Sequence, residues 1–399
     1  MQTAVAPPRA IIATLTLVLA ATAILATAPG ADAKPKKKGQ VVKVMTRNLF
    51  LGADLGPALG SSGPGEFIVA NGEILREVTE TDFPRRSGAL AAEIRDKAPD
   101  LVGLQEVALW REDEIASLDP VFPPGGGPPQ PQATDVRYDF LKLLMDKVNR
   151  GKKRYKVAFV QKEFDFEAPG DENEIPDDGE IPNVPEVPEL NDAELNGRLT
   201  MRDAILVKKS KRIDIRRKRG GNFNNLLEVT VGGVVTIPVT RGWASLEAKV
   251  GRSGWFKFTD THFEAFDDGT QTPSIRQLQA TELGEPGGYA DSRRPTVLVG
   301  DLNSDDNTVA ANDQKAYNAL LGFGWRPRST ENPMSCCVPD LFTSPPSEFD
   351  HHIDHVMTNS PKQVKLLSSS VTGRQQVNGI YPSDHAGVFS KLRIKPKRR

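Results

Sequence analysis

Repeatedly along this chain, a short apolar, β-rich run stops at polar side chains able to hold a metal ion or a phosphate. Val41–Met45 leads into Thr46-Arg47-Asn48, and Leu101–Leu104 into Gln105-Glu106. Trp255–Phe258 precedes Thr261-His262, and Thr296–Val299 precedes Gly300-Asp301-Leu302-Asn303. Ile353-Asp354-His355 and Ser383-Asp384-His385 complete the set, the latter leading into Ala386–Phe389. The end of a strand is where a rigid scaffold can gather residues distant in sequence around one substrate. The arrangement therefore constrains both the architecture and the place where chemistry occurs.

The remaining patterning supports that reading. Strand signals recur at Tyr155–Val160, Asp203–Val207, Val234–Val239, Trp243–Val250, Ile353–Thr358, Val364–Ser368 and Ala386–Ile394. Apolar residues at helical spacing mark Phe83–Lys97, Asp139–Val148, Pro273–Leu283 and Ala311–Leu321, and Pro99 stops the first of these. Many strands with few, scattered helices predict an α+β fold: two packed mixed sheets with helices outside, a four-layer α/β/β/α sandwich. With 399 residues and 38% hydrophobic content, the chain can bury a sizeable core. No repeat of fixed period is present.

Three stretches stand apart. Arg9, the apolar run Ala10–Ala26 and the small-x-small sequence Ala31-Asp32-Ala33 read as a signal peptide over 1–33, cleaved after Ala33, and a membrane anchor is the alternative. Residues 34–40 are then a basic leader, and 41–399 a single catalytic domain, exported and with no transmembrane segment. Segments near 120–135 and 163–197 are rich in Pro with Gly or acids; the second has no Lys or Arg, and both are expected to be disordered insertions. Net charge is −1, so no global basic field points to nucleic acid. Lys208–Arg212 and Arg216–Arg219 do form a local basic patch, expected on a hairpin. It could grip a nucleic-acid backbone or an anionic lipid surface, or simply balance the acidic insertion. Cys336 and Cys337 are adjacent and cannot staple distant parts of the fold; a vicinal disulfide and two inert thiols both fit.

Taken singly, the polar pairs have plain explanations. Glu106 could be a surface acid, Asp301 with Asn303 an Asx turn, His262 a core histidine, and Asp384-His385 a surface pair. In this order, however, Asn48, Gln105-Glu106, Thr261-His262, Gly300-Asp301-x-Asn303, Ile353-Asp354-His355 and Ser383-Asp384-His385 resemble the endonuclease/exonuclease/phosphatase superfamily with its deoxyribonuclease-I-like fold. Arg276 and Gln279 resemble the helix that follows the first catalytic histidine there. The resemblance spans roughly Val41 to Lys395. It implies a divalent cation, Mg2+ or else Mn2+ or Ca2+, held by Glu106 with Asn48 beside it and Asp384 near. Hard cations of this kind prefer oxygen ligands and neutralise a phosphodiester against attack. Asp301 would position or deprotonate the attacking water, and Asn303 would donate its amide to a phosphoryl oxygen. His385 would be oriented by Asp354, and His262 would contact the phosphate and help the leaving oxygen depart, as general acid or as an electrostatic clamp. Whether Asp301 or His385 is the base stays open.

Two features depart from the family pattern. Arg202 stands where a Gly is common; it would contact phosphate or pair with the acidic loop. His351, His352 and His355 form a dense cluster, but a transition-metal site is set aside, because His355 occupies a variable position and no cysteine ligand adjoins. The reading is a secreted metal-dependent phosphodiesterase acting on nucleic acid or a phospholipid headgroup, without a stable protein partner. A phosphomonoesterase of sugar or inositol phosphates, and a non-catalytic binding module on the same fold, are the alternatives.

Overall fold

Two β-sheets lie face to face because their strands are apolar on both sides. In β1 (Gln40–Asn48), Val42 and Val44 face the other sheet, while Met45 faces the helices. Such double burial is the signature of a central layer, not of a solvated sheet. The structure is a computed structural model that describes residues 39–114, 131–172, 193–233, 235–266, 272–306, 313–330 and 334–395. These belong to one compact unit.

The first sheet contains β1, β2 (Leu101–Gln105), β3 (Leu109–Glu114), β4 (Asp135–Asp139), β5 (Tyr155–Gly170), β6 (Leu195–Lys208), β15 (Val364–Thr372) and β16 (Gly387–Ile394), in the order β15-β16-β1-β2-β6-β3-β4 with β5 on β6. The second contains β7 (Ile213–Asn222), β10 (Gly242–Val250), β11 (Phe256–His262), β12 (Thr296–Asp301), β13 (Arg326–Pro327) and β14 (Asp354–Thr358), in the order β13-β14-β12-β11-β10-β7. A small ribbon, β8 (Leu227–Val231) with β9 (Val235–Val239), stands apart.

Helices α1 (Gly56–Leu59), α2 (Pro64–Glu80), α3 (Phe83–Lys97) and α4 (Phe140–Val148) belong to the first sheet. Phe67, Leu75, Leu90 and Leu144 pack there with Met45, Val102 and Leu206. On the far side α5 (Ile275–Gly284) and α6 (Lys315–Gly322) set Leu283 and Leu320 against Leu298 and Met357. Between the sheets lie Val42, Val44, Leu246, Phe258, Val297, Val299 and Val356. Truncating a Leu to Ala in such layers costs roughly 2–5 kcal/mol. The four-layer α/β/β/α sandwich is thus observed. The sheets approach so closely at Gly103 that an added Cβ would lie 2.2 Å from Asp260 Oδ1, which explains a glycine inside a strand.

Several sequence expectations need correction. α2 was not foreseen, although Phe67, Ile74, Leu75 and Val78 are buried along it; its Gly63-Pro64-Gly65 start reads as a turn, yet Pro64 sits in the first helical turn where its missing N–H costs nothing. Residues 163–170 and 195–197 are not insertion but strand, pairing β5 with β6. Two of their acids find distant partners: Asp165 takes Arg198 at 2.6 Å, and Glu167 accepts from the backbone N–H groups of Gln132 and Ala133. Asp135, at the edge of the other expected insertion, opens β4, while 115–130 and 173–192 lie outside the described residues. Nor is the basic run a hairpin, because β6 and β7 belong to different sheets. Within it Arg216 and Arg217 both pair with Glu247, and Arg216 covers Trp255 at 3.9 Å. The expected signal peptide, 1–33, also lies outside the described residues. Among those described, no helix is long and apolar enough to cross a membrane.

Candidate active site

The inter-sheet valines run out at one end of the sandwich, and polar residues of the same strand parity replace them. Along β12, Val297 and Val299 face the other sheet; two residues on, so does Asp301. Asp354 follows the same rule ahead of Val356, and His262 follows Phe258 and Asp260. Strand pairing aligns these residues laterally, with His262 opposite Asp301 and Asp301 opposite Asp354. On the facing sheet Asn48 is level with Gln105. Gly300 admits the close passage of β11, since a Cβ there would meet Thr261 O at 2.1 Å.

Asn48 joins the two sheets. Its Nδ2 donates to Glu106 Oε1 at 2.8 Å and to Asp301 Oδ2 at 3.0 Å, while its Oδ1 accepts from Phe50 N. As placed, Asn48 therefore holds the carboxylates as a donor and does not turn an oxygen toward a cation. Glu106 and Asn303 both have positive φ, 54° and 46°, and backbone strain of this sort gathers at functional sites. Leu51 N donates to the other Glu106 oxygen at 2.7 Å. Asn303 N donates to Asp301 Oδ1 at 2.9 Å, and its Nδ2 donates to Phe263 O, which leaves one amide hydrogen for the cleft.

His385 and Asp354 form a pair, Nδ1 to Oδ2 at 2.9 Å. His385 Nε2 lies 3.7 Å from Asp301 and 3.9 Å from Asp384. Burial works against its charge, but Asp354, Asp384 and Asp301 overcome this and hold the imidazole well above its ordinary pKa. His262 behaves oppositely: burial, Arg241 and His385 hold it well below the usual value. Arg241 Nη1 stands 3.4 Å from His262 Nδ1, so the lone pair is on Nδ1 and the hydrogen on Nε2. That Nε2 has no hydrogen-bond partner and points toward Asp301, 3.7 Å away. Burial pushes Asp301 up to about 7, with His385 opposing and Asp354 adding to the rise. Burial likewise lifts Asp384 to about 6, with Glu106 contributing.

A cleft of about 620 Å³ opens over these groups, lined among others by Glu106, Asp301, Asn303, Asp384 and His385. The site fits a hard divalent cation. Glu106 and Asp384 line the same cleft, where Glu106 adds to the rise in the Asp384 pKa, and a cation relieves the repulsion between such groups. Cys336 and Cys337 are joined as a disulfide whose sulfurs lie 3.5 and 3.9 Å from His385 Nε2.

Arg202 is the exception among the expected site residues. Its guanidinium donates to Val107 O and Ala108 O and pairs with Asp139 at 2.7 Å, which ties the loop after β2 to α4 instead of facing phosphate. Sequence reading missed the residues that hold the strand ends in place. Arg47 donates to His385 O and pairs with Glu93. Arg86 is buried, which lowers its pKa to about 9, and donates to Leu49 O and Pro382 O on the two loops that flank the cleft. Arg241 binds Glu264 at 3.5 Å beside the buried Glu163, Asp203 and Asp260. For Arg47, the only sequence signal was its place between Thr46 and Asn48.

The arrangement can neutralise, orient and deprotonate at one point. Comparison with known proteins gives it context. A protein described as an endonuclease/exonuclease/phosphatase family member from Bacteroides thetaiotaomicron is 15% identical, covering 89% of this chain and 98% of its own, with a TM-score of 0.48. The mannosyl-6-phosphatase of that organism is 16% identical (88% and 99% covered, TM-score 0.46), and truncated Caenorhabditis elegans TDP2 is 16% identical (89% and 98%, TM-score 0.43). No curated protein matches the sequence significantly. Residues 70–385 match the Endonuclease/Exonuclease/phosphatase family, and this chain belongs to that family of metal-dependent phosphoester hydrolases.

Proposed function

We propose that this chain is an exported, Mg2+-dependent phosphodiesterase whose substrate carries an apolar group beside the scissile phosphate, as a phospholipid headgroup does. The observation that carries the hydrolytic reading is the Asn48 amide bridging Glu106 and Asp301, with the His385–Asp354 pair alongside. The lining of the cleft supports the choice of substrate. Asp54, Glu77, Glu80 and Asp340 add to the catalytic acids, and Arg241 is the only Lys or Arg among the described lining residues. A long polyanion would be repelled there, whereas Phe50, Phe266 and Phe342 offer apolar contact. Export rests on the Ala10–Ala26 run and Ala31-Asp32-Ala33. The reading requires no protein partner.

Glu106 and Asp384 would hold the cation. When bound, a divalent ion supplies positive charge against the phosphoryl oxygens and lowers the pKa of nearby water. Asp301 accepts the proton of the attacking water, whose oxygen bonds to phosphorus as the P–O ester bond breaks. The charged His385, fixed by Asp354, and the Nε2–H of His262 meet the phosphoryl oxygens as negative charge grows. The leaving oxygen departs into the open cleft, where solvent protonates it.

The test is hydrolysis of sphingomyelin vesicles, double-stranded DNA, RNA and a sugar phosphate, each with Mg2+ and with chelator. Cleavage of the phospholipid diester above the others is expected. Preference for nucleic acid or for the monoester would overturn the substrate assignment, and no turnover of any substrate by the folded, Mg2+-supplied chain would overturn the hydrolase.

A further inference from the structure

The alternation that turns Asp354 toward His385 sends His355 to the opposite face of β14, under α6. There the His355 ring stacks on Tyr317 at 4.8 Å. His355 Nε2 donates to Ser304 O at 2.9 Å, so its lone pair is on Nδ1, and that nitrogen has no hydrogen-bond partner. His352 is fully buried 4.4 Å away, ring to ring, and its Nε2 has no hydrogen-bond partner. Asp306 Oδ2 lies 2.8 Å from His352 Nδ1, and the other Asp306 oxygen is buried with no hydrogen-bond partner. The remaining histidine of the cluster, His351, is separate and pairs with Asp305.

Buried ring nitrogens without partners are rare, and each calls for an explanation. Here the three residues offer one ligand atom each, all within 4.8 Å of one another. A histidine that donates one nitrogen to a backbone carbonyl and keeps the other free has the orientation of a metal ligand. Two imidazoles and a carboxylate suit Zn2+ or a similar first-row ion, not Mg2+ or Ca2+, which take oxygen ligands.

We propose that Asp306, His352 and His355 bind a divalent transition-metal ion, of the Zn2+ class, at a second site on the far side of the sheet from the cleft. Asp306 follows Asp301 and Asn303, and His352 precedes Asp354. The ion therefore fastens together the two segments that present the acid side chains of the active site.

Zn2+ titration in non-reducing buffer tests this, using the Glu106→Gln/Asp384→Asn double variant to remove the acidic centre. Metal content and melting temperature are the readouts. The double variant is expected to retain about one equivalent of Zn2+ and to melt higher with it. Adding Asp306→Asn, at the rim of the site and mild for folding, should weaken binding about tenfold or more, and His355→Gln should abolish it. Absence of Zn2+ from the double variant, or unchanged binding after Asp306→Asn, would overturn the proposal. Asp306→Asn decides the matter if His355→Gln does not fold.

Discussion

Two histidine–carboxylate pairs flank the same strand and differ in almost everything but composition. His385 and Asp354 meet at 2.9 Å at the cleft floor, where surrounding carboxylates hold the imidazole pKa well above its ordinary value. His352 and Asp306 meet at 2.8 Å behind the sheet, beside His355, whose pKa burial lowers to about 3. The residue types are the same, but the surroundings differ: carboxylates raise the pKa of His385, whereas burial lowers that of His355 beside the second pair. A histidine–aspartate pair is thus read by its surroundings, not by its spacing.

The widest separation between the two regions should come from His385→Ala and His355→Ala. The first is expected to cut turnover by about 10^3-fold while leaving the melting temperature within a few degrees. The second removes a buried ring and should lower the melting temperature by roughly 5–10 °C, with turnover of the folded fraction reduced less than about tenfold. Paired kinetic and calorimetric measurements that gave both variants the same profile would erase the distinction. Next in size is the metal response: chelation should remove about 99% of hydrolysis and Mg2+ should restore it, whereas Zn2+ should raise melting without replacing Mg2+ in turnover.

A smaller effect concerns pH. Asp301 is held at about 7, above the ordinary carboxylate value near 3.9. A raised acid contributes stability that is present at low pH and lost as pH rises through the folded value. Asp301→Asn should therefore raise the melting temperature of the cation-free protein, with a gain that grows from pH 5 to 7 and levels off above. A gain independent of pH would show that the carboxylate is not desolvated. Smallest is Arg216→Ala, expected to change diester hydrolysis less than about twofold at any ionic strength, because Arg216 is already paired with Glu247. A salt-dependent loss would return a long polyanion to consideration.

Much of this was legible because it is local. Gly300-Asp301-x-Asn303 and Ser383-Asp384-His385 carry their geometry within a few residues, and apolar runs identify the strands that hold them. What escaped the sequence depends on distant partners. Arg202 looked available until Asp139 and two carbonyls claimed it. The acids of 163–170 look unable to fold until Arg198 is set opposite Asp165. Arg47 and Arg86 act through backbone carbonyls, which no side-chain motif records. The histidine cluster was visible, but its division was not: His351 turns to Asp305, while His352 meets Asp306 and His355.

The Asn48 bridge has a mechanical consequence. One amide group reaches a carboxylate on each layer, so the catalytic constellation is calibrated by the thickness of the hydrophobic filling behind it. Swelling or thinning that filling at Val44 or Val299 would move the two halves of the centre relative to each other with no change to any polar residue. Turnover in this molecule should serve as a caliper for its interior, registering a misfit methyl group well before the fold gives way.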